Sequence, residues 1–140
     1  MRKMLIAICI MALLASCKKD AETCTLSTSA VSATYEITAV RYKASPSSSE
    51  VDYYNQFFPD PCQRDDRITL NSNGTYIMTD AGVACTPPGD DNGTWSLSGN
   101  TMTIDGEATN VDNFNCSTLT ISISDVNTPG DRLILVLTRR

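Results

Sequence analysis

The sequence contains no histidine and one tryptophan, and aromatic residues make up 6% of its 140 positions. Without histidine, the chain lacks the usual general base for a serine or cysteine nucleophile and a preferred nitrogen ligand of zinc. Positive charge is also scarce, with 11 Lys and Arg against 16 Asp and Glu and a net charge of -5. This acidic balance argues against nucleic acid as a partner. We therefore expect no enzyme activity, no metal and no cofactor.

The sequence has one long apolar run, at residues 4–15, directly after two positively charged residues. No comparably long apolar run follows it. The run at residues 4–15 is too short to span a bilayer comfortably, and its arrangement is typical of a secretory signal peptide. The run ends in the sequence LASC at residues 14–17, which resembles the lipobox of bacterial lipoproteins. That resemblance implies removal of residues 1–16 and attachment of lipid to Cys17.

A lipid-modified Cys17 predicts a protein anchored in the bacterial outer membrane, on its periplasmic or its surface-exposed face. Each buried methylene contributes roughly 0.8 kcal/mol, so the three acyl chains of such an anchor hold a protein essentially permanently. We expect residues 17–33 to form the lipidated cysteine and a polar tether. Residues 34–140 are long enough for one domain with its own core.

Short segments rich in β-branched and aromatic residues, or alternating apolar and polar residues, fill this domain. Eight antiparallel strands in chain order predict an all-β fold, a single up-and-down barrel without open sheet edges, and a β-sandwich is the alternative. A barrel of eight strands is filled by side chains or holds one small ligand. The predicted strands cover residues 34–43, 67–71, 75–79, 93–97, 101–104, 107–112, 117–124 and 133–137.

Two hairpins have registers that the sequence predicts directly. A short loop at residues 71–74, with Gly74 in the left-handed conformation, sets apolar residues of its two strands opposite each other. A turn at residues 99–100 does the same for the next hairpin. The predicted pairs are Leu70 with Tyr76, Ile68 with Met78, Leu97 with Met102, and Trp95 with Ile104.

Four of the six cysteines lie outside the predicted signal peptide and lipobox. An even number in an exported domain predicts two disulfides, for which three connectivities exist. The register of the first hairpin, extended outward, brings Cys62 within one residue of Cys85, and one bulge would align them. This favours a Cys62–Cys85 bridge, and Cys24–Cys116 then follows by elimination.

Aspartates cluster beside Cys62 and again at residues 90–91, where calcium-binding loops can carry such acids. No known calcium-loop spacing is present. Turn formation and solvation account for these residues without a metal.

Residues 62–104 carry a further pattern: C-x-x-D-D at 62–66, N-G-T-Y at 73–76, a second cysteine at 85 and G-T-W-x-L at 93–97. It resembles the lipocalin-like domains of exported lipoproteins from Gram-negative bacteria of the Bacteroidetes type. Tyr35 stands where those domains usually begin their first strand with Trp. The resemblance implies a β-barrel, supports the Cys62–Cys85 bridge and leaves the ligand open.

We therefore predict a membrane-anchored, monomeric module that binds a small apolar or amphipathic ligand. The long connection at residues 44–61 is predicted to be either a lid over the barrel mouth or a hydrophobic plug that completes the core. The candidate ligand-contacting residues of the barrel interior and this connection are Tyr35, Tyr53, Tyr54, Phe57, Phe58, Tyr76, Met78, Trp95 and Met102.

The alternative is a filled barrel that acts through its surface, as a protein-interaction or inhibitor module. An acidic surface would suit a basic partner such as lysozyme, although the sequence identifies no particular protein. Cavity volume separates the two hypotheses. A lined pocket of roughly 300 Å³ or more supports ligand binding, and a packed interior supports the surface module.

Overall fold

The computed structural model describes residues 24–140, so the predicted signal peptide, Cys17 and the first part of the predicted tether lie outside the described residues. No helix in this part of the chain is long and apolar enough to cross a membrane. The strands are β1 (Thr34–Lys43), β2 (Val51–Asp52), β3 (Arg67–Leu70), β4 (Thr75–Thr79), β5 (Asp91–Ser98), β6 (Thr101–Ile104), β7 (Glu107–Phe114), β8 (Thr118–Ser124) and β9 (Arg132–Arg139). Two short helices, α1 (Thr28–Val31) and α2 (Tyr54–Phe57), and a 3-10 turn (Pro61–Gln63) complete the elements.

Eight of the nine strands form one closed antiparallel ring, because β1 pairs with both β3 and β9. The ninth, the two-residue β2, pairs only with β1. The all-β barrel is thus confirmed, and each of the eight predicted strands is present with small shifts at the ends. The prediction missed β2, because a two-residue strand has no periodicity that a sequence can show.

The hairpin registers predicted from the sequence are confirmed. In the β3–β4 hairpin, Leu70 pairs with Tyr76 and Ile68 pairs with Met78. The β5–β6 hairpin sets Trp95 opposite Ile104 and Leu97 opposite Met102. Gly74 has φ +85°, and a Cβ atom at this position would lie 3.2 Å from the Trp95 carbonyl oxygen. The turn therefore needs glycine both for its backbone conformation and for the close approach of β5.

One end of the barrel, here called the closed end, is covered by residues 24–33. Val31 is fully buried, and its carbonyl accepts a hydrogen bond of 2.8 Å from the Tyr35 hydroxyl. A disulfide between Cys24 and Cys116 fixes this segment to the turn between β7 and β8. The structure therefore places the second half of the predicted tether against the barrel.

The connections 44–66, 80–90, 105–106 and 125–131 lie at the opposite end, here called the mouth end. A disulfide between Cys62 and Cys85 links the first two of these connections. Both predicted disulfides are confirmed, and one lies at each end of the barrel.

Part of the β1 edge that faces β3 has no neighbouring strand, and β1 also carries a bulge. The register with β9 shifts between Ile37 and Ala39, and β3 pairs only with the first three residues of β1. In the gap, the Tyr54 hydroxyl donates to the Ile37 carbonyl at 3.1 Å, and the Tyr53 N–H donates to the Val40 carbonyl at 2.9 Å. The 44–66 connection thus satisfies backbone groups that the ladder leaves unpaired.

A buried carboxylate organises the connection between β8 and β9. Asp131 is 0% exposed and accepts the N–H groups of Val126, Asn127 and Thr128 at 2.7 to 3.0 Å, together with the Tyr42 hydroxyl at 2.8 Å. Burial acts to raise the pKa of Asp131, but the hydrogen bonds from Tyr42 and the loop N–H groups outweigh it. The pKa therefore lies below its ordinary value.

We predict that Asp131→Asn destabilises the fold near neutral pH, because the amide replaces an acceptor oxygen with a donor where only donors converge. The folded-state pKa of Asp131 lies below the unfolded value of about 3.9. Its stabilisation is therefore complete above that unfolded value and is lost as the pH falls through the folded-state pKa. Thermal unfolding followed by circular dichroism should show a lower melting temperature for the variant at neutral pH, and this difference should shrink as the pH falls. A difference in melting temperature that stays constant from neutral to acidic pH would contradict the prediction.

Candidate functional site

The barrel encloses an apolar cavity of about 270 Å³. Six strands contribute to its wall, and five of them supply a pair of residues two positions apart, because alternate residues of a strand face the same side. Nine of the eleven lining residues are Ile, Leu or Met. The lining residues are Ile37, Ile68, Leu70, Met102, Ile104, Glu107, Thr109, Ile121, Ile123, Leu135 and Leu137.

We infer from the solvent exposure of its lining residues that the cavity opens toward the mouth end. Near the closed end the interior is packed, and Val31, Tyr35 and Leu119 have no exposed surface. At the other end, the lining includes Glu107, the first residue of β7, which is exposed to solvent. A ligand could therefore enter past Glu107 and reach the apolar wall beneath it.

The lining offers few polar groups. The Thr109 hydroxyl donates to the Met102 carbonyl at 3.0 Å, so it can still accept a hydrogen bond but has no proton left to donate. Glu107 is the one charged lining residue. Among residues 24–140, no side chain forms an ion pair or hydrogen bond with it.

Met102 is the one predicted ligand-contacting residue that lines this cavity. Tyr35, Tyr76 and Trp95 are at most 8% exposed but belong to the packed core. Met78 instead lines a neighbouring void of about 20 Å³. Alternation along the strands identifies inward-facing residues, but it does not show which of them meet a void and which meet each other.

The polar atoms of all three of these aromatic residues are already engaged, that of Tyr35 by the Val31 carbonyl. The Tyr76 hydroxyl donates to Asp105 at 2.6 Å, and this hydrogen bond is the main cause that raises the pKa of Tyr76 to about 12. The same bond lowers the pKa of Asp105. The indole N–H of Trp95 donates to the Asn71 carbonyl at 2.9 Å. These residues therefore serve the fold.

The four aromatic residues of the long connection do not line the cavity either. Tyr53, Tyr54 and Phe58 are partly buried against the core, and Phe57 is 39% exposed. Phe58 lies within 4.8 Å of Phe57 and 5.4 Å of Tyr54 between ring centroids. This packing favours the plug over the lid.

Sequence reasoning did not identify Glu107 or Thr109 as residues of the cavity lining. A signal for both of them was available. Glu107, Thr109 and the buried Val111 are spaced two apart in β7, which places them on one face of the strand. The polar character of the first two obscured that pattern.

Members of both aspartate clusters act in turns, as expected. Asp65, Asp66 and Asp90 accept N–H groups of the 80–90 connection at 2.8 to 3.3 Å. Burial raises the pKa of Asp66, opposed by the Ala81 N–H and reinforced by neighbouring carboxylates. Within the described part of the chain, no group of three or more His, Cys, Asp or Glu residues is arranged to hold a metal ion.

Comparison with known proteins agrees with this architecture. The family model of the lipocalin-like domain matches residues 31–123, which is more than half of the chain. The chain belongs to the lipocalin-like domain family. No curated protein matches it. Lipocalin-like barrels are small-ligand-binding folds, and the cavity of this lipocalin-like domain lies in the barrel interior, where such folds hold a ligand.

Proposed function

We propose that this lipocalin-like domain binds a small apolar or amphipathic molecule in its interior cavity. The observation that carries the proposal is a void of about 270 Å³ with nine apolar residues among eleven in its lining, open at one end. Such a void disfavours the alternative of a filled barrel that acts only through its surface.

The size of the cavity restricts the ligand. Its volume falls slightly below the roughly 300 Å³ at which ligand pockets usually begin. A water molecule occupies about 30 Å³ in the liquid, so the cavity has room for about nine groups of that size. We therefore expect a short alkyl chain or a small ring system, not a long-chain lipid.

The chemistry of the lining favours an apolar occupant over water. A buried water needs about two to four polar partners, and the wall supplies Thr109 and, at the mouth, Glu107. Each buried methylene contributes about 0.8 kcal/mol, or roughly 7 kcal/mol for nine groups, before the cost of association is subtracted. Dissociation constants in the micromolar to millimolar range are expected.

A cavity-filling substitution tests this site. Ile123 lines the cavity, whereas Ile77 lies on the outer face and is 49% exposed. In NMR titrations with octan-1-ol, we expect Ile123→Trp to weaken binding by at least about tenfold, equivalent to 1.4 kcal/mol, because the indole occupies the ligand volume. The matched variant Ile77→Trp should bind as wild type does. Equal binding by both variants, or no binding by the wild type, would refute the proposal.

We also propose that the domain is anchored at the bacterial outer membrane through Cys17. The support is the signal-like run at residues 4–15 and the LASC sequence that ends at Cys17. Cys24 is fixed at the closed end of the barrel, seven positions after Cys17. Seven residues reach at most about 25 Å. An anchor at Cys17 would therefore hold the closed end near the membrane and leave the mouth end facing away from it.

Metabolic labelling tests the anchor. With an alkyne fatty acid, we expect wild type to incorporate label and to fractionate with membranes, and Cys17→Ser to do neither, because the thioether is the first lipid attachment. The matched variant Cys9→Ser removes a cysteine of the predicted signal peptide and should behave as wild type does. Label that persists in Cys17→Ser would show that the anchor lies elsewhere.

A further inference from the structure

The charged residues of the domain are distributed unevenly between the two ends of the barrel. At the mouth end, the four connections and the strand residues that flank them hold twelve Asp and Glu against four Lys and Arg. At the closed end, the corresponding residues include no acid and two arginines, Arg139 and Arg140. The entrance to the cavity therefore lies in a region of strongly negative potential, which attracts cations and repels anions.

No Lys or Arg lines the cavity, so none of the four positive residues at the mouth end neutralises the negative charge at the cavity wall. Arg132 pairs with Asp112 at 2.9 Å, and the Arg64 guanidinium donates to the Phe58 carbonyl. Lys43 and Arg67 each adjoin a residue of the inner face, so strand alternation directs them outward. A ligand carboxylate at the mouth would therefore have no positively charged lining residue to pair with.

Glu107 adds a local charge to this general field. It is the one charged residue of the lining, it is exposed, and no side chain among residues 24–140 pairs with it. Its position two residues before Thr109 sets both on the wall-forming face of β7. A ligand whose apolar part fills the cavity would place its polar head beside this carboxylate.

We propose that the cavity selects amphipathic cations: molecules with a short apolar chain or ring inside the barrel and an ammonium group beside Glu107. This inference rests on the proposed ligand site and adds the chemical class of its ligand. The apolar part is limited to about nine carbon-sized groups by the cavity volume. Glu107 is the specificity-determining residue.

Three probes with one chain and different head groups test the charge preference. Octylammonium, octan-1-ol and octanoate carry a positive, neutral and negative head near neutral pH. In titrations of the purified protein at low ionic strength, we expect octylammonium to bind at least about tenfold more tightly than octanoate, with octan-1-ol between them. Added salt should reduce these differences in affinity among the three probes, because the charges at the mouth are exposed to solvent.

Two matched variants test the role of Glu107. Glu107→Gln removes the lining charge, and Glu50→Gln removes an equal charge from the 44–66 connection, where Glu50 pairs with Arg41 outside the cavity. We expect Glu107→Gln to lose most of the preference for octylammonium over octanoate. Its affinity for octan-1-ol should stay within about twofold of the wild-type value, which would also show that the fold is intact. Glu50→Gln should keep the preference.

A chain-length series tests the size limit. Affinity for alkylammonium ions should rise about fourfold per methylene, the fold-change that corresponds to 0.8 kcal/mol, and should level off near eight or nine carbons. A rise that continues well beyond that length would contradict the cavity as the binding site.

The outcomes separate the two proposals. Octanoate binding as tightly as octylammonium would overturn the cation preference and leave the apolar site standing. Equal effects of Glu107→Gln and Glu50→Gln would overturn the assignment of specificity to Glu107. Failure of all three octyl probes to bind would overturn the ligand site itself.

Discussion

The pairing of β1 with β9 joins the first and last strands of the ring through eight residue pairs, from Tyr35–Arg139 to Lys43–Arg132. With that ladder in place, the eight strands form a closed ring, and their inward faces enclose one volume. The register of β1 with β9 shifts between Ile37 and Ala39, and β3 pairs with the first three residues of β1. The 44–66 connection covers β1 carbonyls that lie beyond the β3 pairing.

Closure of the ring creates a space that the side chains do not fill completely. Branched aliphatic residues dominate the cavity wall, whereas the large aromatic residues Tyr35, Tyr76 and Trp95 are committed to the packed core and to hydrogen bonds with the backbone or Asp105. An unfilled void forgoes dispersion contacts. Two disulfides, one at each end of the barrel, counter this loss, since a native disulfide typically contributes about 2–4 kcal/mol. The domain thus keeps a cavity open within a small core.

The features of this fold that the sequence predicts are local ones: strands, turns and hairpin registers. Alternation of apolar residues identified the ring strands, and the turn at Gly74 fixed a register that led to the Cys62–Cys85 bridge. The packing of residues 24–33 was not predicted, because its Thr, Ser and Ala residues have the composition of a linker, and Val31 alone is fully buried there. The void was also beyond sequence reasoning, since it depends on how side chains from six strands fail to meet. Glu107 was missed because a charged, exposed residue at a strand start looks like ordinary surface.

The central claim is that the barrel interior holds a stable apolar void, and diffraction from crystals under xenon pressure tests it most directly. Dry apolar cavities bind xenon, whereas packed interiors do not. We predict xenon density enclosed by Ile104, Ile121 and Leu135, with the positions of these side chains unchanged. Absence of xenon, with Met102 or its neighbours filling the space, would contradict the account and return the domain to the class of filled barrels that act through their surface.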